Sequence, residues 1–323
     1  VRTAYLGTSD FAATVLRRLA ACAHAPALVV TPPDRRRGRG RRELPPAAAE
    51  AAAELGLDLL QTADVNEPAS LERIRAARPE ALAVCAFGQL IREPLLSEFP
   101  MLNVHPSLLP RWRGAAPIER AIMAGDARTG VCIMRLTAGL DSGPVALREE
   151  VEIGSEEDFG ELSARLAALS GELLVRALDL QAAGKLEFAE QDEAAATYAE
   201  KIDPAERRLD PARPAAELAA TVRALTPHIG AYLEAADSER LGVRKASMVV
   251  EESASDVGGA TYGRYATETR PAPPSAGEIA VRDRHLLLGC GEGTLRLDVV
   301  QPPGGRPMAA ADYLRGHEPP ALS

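Results

Sequence analysis

The chain has 323 residues, 46% of them apolar and 26% charged, the range of a soluble globular protein with one large or two ordinary domains. Its formal net charge of −9 argues against a protein that coats nucleic acid indiscriminately. No run of about 18 apolar residues predicts a membrane span, and residues 1–13 lack the apolar core and small-residue cleavage site of a secretory signal, so the cytoplasm is the expected compartment. The four cysteines, Cys22, Cys85, Cys132 and Cys290, are scattered with no Cys-x-x-Cys. Neither a zinc site nor a disulfide framework is expected, and no metal.

Short apolar runs alternate with helical stretches from the start. Residues 3–6 predict a strand and residues 7–10 a turn. Phe11, Val15 and Leu19 recur at helical spacing, with Ser9 or Asp10 as N-cap. Residues 27–30 predict a second strand, 47–55 an Ala/Glu helix ended by Gly56, 57–60 a strand and 69–77 a helix. Residues 80–86 read as a buried strand. Beyond it come a strand over 101–104, a helix over 118–124 and a strand over 131–136. This order predicts an α/β fold with a mostly parallel sheet covered on both faces, whose ligands bind beyond the carboxyl ends of the strands.

Residues 155–183 predict a long helix with one apolar stripe through Leu162, Leu166, Leu169 and Leu173. Residues 191–210 are polar and lack periodicity, as a linker does. A helix over 215–224 precedes strand-like runs at 230–233, 243–250, 278–281, 286–289 and 294–299. Gly, Pro and Asp punctuate them, which suggests a small β-barrel. Residues 251–274, rich in Gly, Ser and Pro, read as a surface loop.

Three constellations carry candidate chemistry. Asn103 and His105 are two apart at the end of a predicted strand, so both side chains face one side of it. Pro106 and Pro110 stiffen the loop after the strand. An amide and an imidazole together suit an oxygen that gains negative charge, as in an acyl-transfer intermediate; a half-buried structural histidine beside an edge asparagine fits the same two residues. Asp141 stands at the tip of the Gly-flanked loop Thr137-Ala-Gly-Leu-Asp-Ser-Gly143. A lone loop aspartate is often a turn former, but one within reach of a histidine orients the ring and accepts a proton. The segment Thr31-Pro-Pro-Asp-Arg-Arg-Arg-Gly-Arg-Gly-Arg-Arg-Glu43 carries six arginines against two acids. It suits phosphate contact, with a solvated charge run as the other reading. The first turn, Gly7-Thr-Ser-Asp-Phe-Ala12, is not Gly-x-Gly-x-x-Gly, and no acid ends the second strand, so a dinucleotide site is not expected.

Asn103-Val-His-Pro-Ser-Leu-Leu-Pro-Arg-Trp-Arg-Gly-Ala-Ala-Pro-Ile118, together with Gly139-Leu-Asp-Ser-Gly143, resembles the folate-dependent formyltransferases. Within that family the whole chain resembles the branch whose acceptor is methionyl initiator tRNA. Leu6-Gly-Thr-Ser-Asp-Phe-Ala12, the basic loop, Thr197-Tyr-Ala-Glu-Lys-Ile202 and Gln301-Pro-Pro-Gly304 carry the likeness nearly end to end. The resemblance implies a Rossmann-like formyltransferase domain over 1–188, a linker over 189–206 and an OB-like barrel over 207–323. It implies 10-formyltetrahydrofolate as donor and the methionyl α-amino group on initiator tRNA as acceptor. Asn103, His105 and Asp141 match the family's catalytic positions. Ser107, Leu108, Leu109 and Pro110 match its tetrahydrofolate segment. Arg39 matches the loop arginine that engages the acceptor arm, with Arg41 and Arg42 beside it. A monomer without a membrane partner is expected.

Three features depart from the family pattern: Pro106 where Gly or Ala is more usual, a basic loop richer in arginine than is usual, and a second domain that is not basic, with 14 Lys/Arg against 16 Asp/Glu over residues 204–323. A glycinamide ribonucleotide formyltransferase should lack the second domain and the arginine loop. A sugar-nucleotide formyltransferase and a formyl-folate hydrolase share the catalytic trio. A catalytically silent tRNA-binding protein would not need it.

Overall fold

The structure is a computed structural model and describes residues 1–37, 42–249 and 272–322. The chain divides into two compact units. The first comprises Val1–Ala121, Asp126–Glu157 and Glu161–Lys201; the second comprises Ile122–Gly125, Asp158–Gly160 and Ile202–Ser323.

The elements through residue 201 are β1 (Thr3–Gly7), α1 (Asp10–Ala20), β2 (Pro26–Thr31), β3 (Arg35–Arg37), β4 (Arg42–Leu44), α2 (Ala47–Glu54), β5 (Leu59–Gln61), α3 (Pro68–Ala76), β6 (Ala81–Cys85), α4 (Leu95–Glu98), β7 (Met101–His105), β8 (Arg113–Gly114), α5 (Pro117–Met123), β9 (Arg128–Arg135), β10 (Val145–Glu152), α6 (Phe159–Ala182) and β11 (Tyr198–Ala199). Seven strands form one sheet in the order β10-β9-β7-β6-β1-β2-β5. Pairing is parallel from β5 to β7 and antiparallel for β7 with β9 and β9 with β10. The expectation of a mostly parallel sheet therefore holds.

The apolar runs explain why the parallel strands lie inside. All five residues of β1, of β6 and of β7 are buried, as strands covered on both faces must be. Ala4 and Leu6 of β1, Leu28 and Val30 of β2, and Leu82 and Val84 of β6 join Leu71 and Ile74 of α3 in one core. Helix α1 begins as its sequence dictates, with the Ser9 side chain accepting the Ala12 N–H.

Several elements differ from expectation. The sequence pattern does not predict β10: Arg148, Glu149 and Glu150 are hydrogen-bonding strand residues at the sheet's edge, where charge on both sides is tolerated. The ends of the arginine segment are not an open loop. Arg35, Arg36 and Arg37 pair antiparallel with Leu44, Glu43 and Arg42.

The second unit contains α7 (Ala215–Leu225), β12 (Ala231–Glu234), β13 (Arg240–Met248), β14 (Ile279–Arg282), β15 (His285–Gly289), β16 (Thr294–Gln301), β17 (Met308–Ala309) and α8 (Ala310–Tyr313). Its strands run β12-β13-β16-β15-β14 with β17 on β16, all antiparallel. Leu218, Val222 and Leu225 of α7 pack with Val243, Leu286, Leu288, Leu295, Leu297 and Val300. Where a small β-barrel is expected, the structure has a small antiparallel β domain. The surface loop expected over 251–274 lies almost wholly outside the described residues.

Candidate active site

β7 pairs with β6 on one side and β9 on the other, so its last residues are fixed from both edges. Asn103 stands opposite Met134 and His105 opposite Cys132. Both are buried, at 8% and 4% exposure. Asp141 lies in the connection from β9 to β10 with φ +44°, a backbone conformation that non-glycine residues adopt uncommonly and aspartate more readily than most. Its carboxylate meets both strand residues. Oδ1 accepts from Asn103 Nδ2 at 3.4 Å, and Oδ2 stands 3.5 Å from His105 Nδ1. These are long contacts, of the kind that tighten in a reacting complex. The firm bond to the carboxylate comes from the backbone: the Gly114 N–H donates to Oδ2 at 2.9 Å. Gly114 has φ +120°, and a Cβ there would sit 2.8 Å from the Ala199 carbonyl oxygen, so this donor position calls for glycine.

The other ring nitrogen of His105 is committed. Nε2 lies 2.8 Å from the Trp112 carbonyl oxygen, which can only accept, so Nε2 carries the hydrogen. The neutral ring then presents Nδ1 to Asp141 as a lone pair. Only the doubly protonated ring satisfies the carbonyl and the carboxylate together.

Trp112 itself is held at φ +65°, which costs a non-glycine residue on the order of 1 kcal/mol or more. Three contacts impose that conformation. Its N–H donates to Thr197 Oγ1 at 2.9 Å, and its indole Nε1–H to Asp126 Oδ2 at 2.8 Å. The Arg111 guanidinium lies 4.4 Å from the ring centroid while bonding both oxygens of Asp126. Arg111 and Trp112 thus shape the wall behind His105.

Arg113 is buried, its side chain 2% exposed. It donates to Gln191 Oε1 at 3.1 and 2.9 Å and to both oxygens of Glu193 at 2.9 and 2.7 Å. Bonding to Arg113 holds the Glu193 carboxyl below the usual glutamate value. Gln191 Nε2 donates in turn to the carbonyls of Asp141 and Gly143, at 2.8 and 2.7 Å. Residues 189–199, aperiodic in sequence, are therefore a strap on the first unit. Ala189 exchanges backbone bonds with Val145, and Tyr198–Ala199 pairs parallel with Arg113–Gly114.

The remaining anticipated residues divide. Leu108 and Pro110 are partly exposed, whereas Ser107 and Leu109 are buried. Ser107 Oγ donates to the Arg111 carbonyl at 2.6 Å, and Leu109 packs with Cys132, Met134 and Val145. Their side chains therefore shape the loop from inside. Arg39 and Arg41 lie outside the described residues. Arg42 opens β4, and its side chain lies outside them too. A cavity of about 250 Å³ opens at the other end of β7, against Pro100, Met101, Arg135 and Phe188, and includes none of the trio. Sequence reasoning missed Gln191 as part of the site. Trp112 and Thr197 lie in the Asn103–Ile118 and Thr197–Ile202 stretches that carry the family likeness, without an assigned role.

The family model described as Formyl transferase matches residues 1–178, and that described as Formyl transferase, C-terminal domain, matches residues 201–318. The methionyl-tRNA formyltransferase of Methylococcus capsulatus is 40% identical over 319 residues, covering 98% of this chain and 97% of its own. That of Pseudomonas paraeruginosa is 39% identical over 315 residues, covering 97% and 94%. Among solved structures, HypX of Aquifex aeolicus in complex with tetrahydrofolic acid superposes with a TM-score of 0.60 at 16% identity. That match covers 97% of this chain but 46% of the HypX chain, so this chain spans about half of that longer protein. An N-formyltransferase of Helicobacter canadensis, in complex with folinic acid and dTDP-3-aminofucose, gives a TM-score of 0.63 at 11% identity, covering 92% and 98%. The structures share the fold; the full-length sequence matches and the two family models establish that the chain belongs to the formyl transferase family.

Proposed function

We propose that the chain transfers the formyl group of 10-formyltetrahydrofolate to the α-amino group of methionyl initiator tRNA. The observation that carries the reading is the convergence of Asn103, His105 and Asp141 at the end of β7, in a chain about 40% identical, end to end, to methionyl-tRNA formyltransferases.

The reaction needs little activation of its nucleophile. An α-amino group has a pKa of about 8, so a useful fraction is free amine at neutral pH. The amine nitrogen attacks the formyl carbon, whose C=O becomes C–O⁻. The bond to folate N10 then breaks, and the proton gained by the attacking nitrogen must reach N10. Asn103 Nδ2 and His105 Nδ1 are the two donors that share this point, and they serve the oxyanion. His105 donates from Nδ1 only in the doubly protonated state, because Nε2–H serves the Trp112 carbonyl. Asp141 balances that charge, accepts the proton of the attacking amine and relays it towards N10. The partly exposed Leu108 and Pro110 form the folate-facing part of the Ser107–Pro110 segment. Arg39, Arg41 and Arg42 serve the phosphates of the acceptor arm.

Product analysis tests the acceptor. With formyl-labelled donor and charged initiator tRNA, label should enter the aminoacyl ester. Label released as formate at the same rate with and without tRNA would instead identify a hydrolase.

A further inference from the structure

We infer that Gln191 is the positioning residue for Asp141, and that Arg113 orients Gln191 for this task. The inference rests on the formyl-transfer reading of the trio and adds to it the group that sets the trio's geometry.

Apart from the Gly114 N–H bond to the Asp141 carboxylate, the Asp141 loop has little to hold it. Residues 138–140 are exposed, or nearly so, with Leu140 at 61%, and Asp141 sits at positive φ. Its contacts to Asn103 and His105 are 3.4 and 3.5 Å long, too loose to define the loop. Gln191 supplies the hold on the loop's backbone. One amide nitrogen spans the turn, with a hydrogen bond to the carbonyl on either side of Ser142, at 2.8 and 2.7 Å.

The orientation of this amide is fixed by chemistry. Its nitrogen faces two carbonyls, which only accept, and its oxygen faces the Arg113 guanidinium, which only donates. A flipped amide would oppose like to like at all these contacts. The guanidinium also polarises the amide and strengthens its donation. Arg113 is in turn paired with Glu193, so its buried charge is compensated. The Ala189–Val145 bridge places Gln191 opposite the loop. Every link therefore runs from a buried cation to the backbone of Asp141, and none touches a reacting atom.

Two near-isosteric substitutions test this. Gln191→Glu keeps the bond to Arg113 but presents a carboxylate oxygen to both carbonyls. Gln191→Met removes donor and acceptor without adding charge. Wild-type transfer is the control for the underlying reading: without it, that reading fails independently of Gln191. Given wild-type transfer, each variant should lose roughly 10- to 100-fold in kcat, the scale of an ångström of misplacement. KM for the folate donor and for charged tRNA should stay within about threefold. In an Asp141→Asn background the second substitution should cost nothing more, because its target is already gone. Wild-type kcat in a folded variant, a loss confined to KM, or an undiminished further loss in the Asp141→Asn background would each overturn the assignment.

Discussion

His105 is defined by what each ring nitrogen faces. The Trp112 carbonyl takes the Nε2 hydrogen, so oxyanion donation from Nδ1 depends on a second ring proton and on the Asp141 carboxylate 3.5 Å away. Asn103 is the donor that needs no such proton. Asn103→Ala should therefore lower kcat by on the order of 10²- to 10³-fold, with little change in KM for charged tRNA, as steady-state kinetics would show. At Glu193 the pH dependence has a definite sign. Its folded pKa is depressed by Arg113, so its contribution to stability is present above the ordinary glutamate value, about 4.3, and is lost as pH falls through the folded value. Thermal unfolding should show this part of the acid destabilisation below about pH 4, and Glu193→Gln should remove it.

At the scale of elements, the site is one strand end met by a loop and a strap. The loop depends on its glycines. A Cβ on Gly143 would lie 1.9 Å from the Arg135 carbonyl oxygen, so Gly143→Ala must displace the loop. We expect transfer to fall at least tenfold, with a lower unfolding temperature, measured on the same preparation. How much of this is legible in the sequence depends on where each residue gets its meaning. Asn103 and His105 can be read because an i, i+2 pair at the end of an apolar run shares a face whatever surrounds it. Asp141 can be read because glycines flank it. Gln191 cannot: its partners are carbonyls 48 and 50 residues away, and a polar, aperiodic stretch gives no local sign of them. β10 escapes because its charges, solvated at an edge, break the alternation that marks a half-buried strand. Leu109 matches the family's folate segment by motif, yet its side chain is core, since a motif records neighbours in sequence and not which side chains turn inward.

Across the whole molecule, charge is unevenly distributed. The chain carries −9 overall, yet residues 31–43 hold six arginines, and residues 204–323 are not net basic. Affinity for a polyanion should then rest heavily on the arginine segment. Changing Arg39, Arg41 and Arg42 to Ala should raise KM for charged tRNA and reduce its logarithmic salt dependence by roughly two to three. KM for the folate donor should not change. An unaltered salt dependence would mean that the tRNA is held elsewhere.

The most direct measurement is the rate of formation of N-formylmethionyl ester from 10-formyltetrahydrofolate and methionyl initiator tRNA, for the wild type and for His105→Ala at matched, verified folding. The account predicts ester formation by the wild type and a loss of roughly 10²-fold or more in kcat for the variant. No ester from folded wild type, or a variant that retains the wild-type rate, would contradict it.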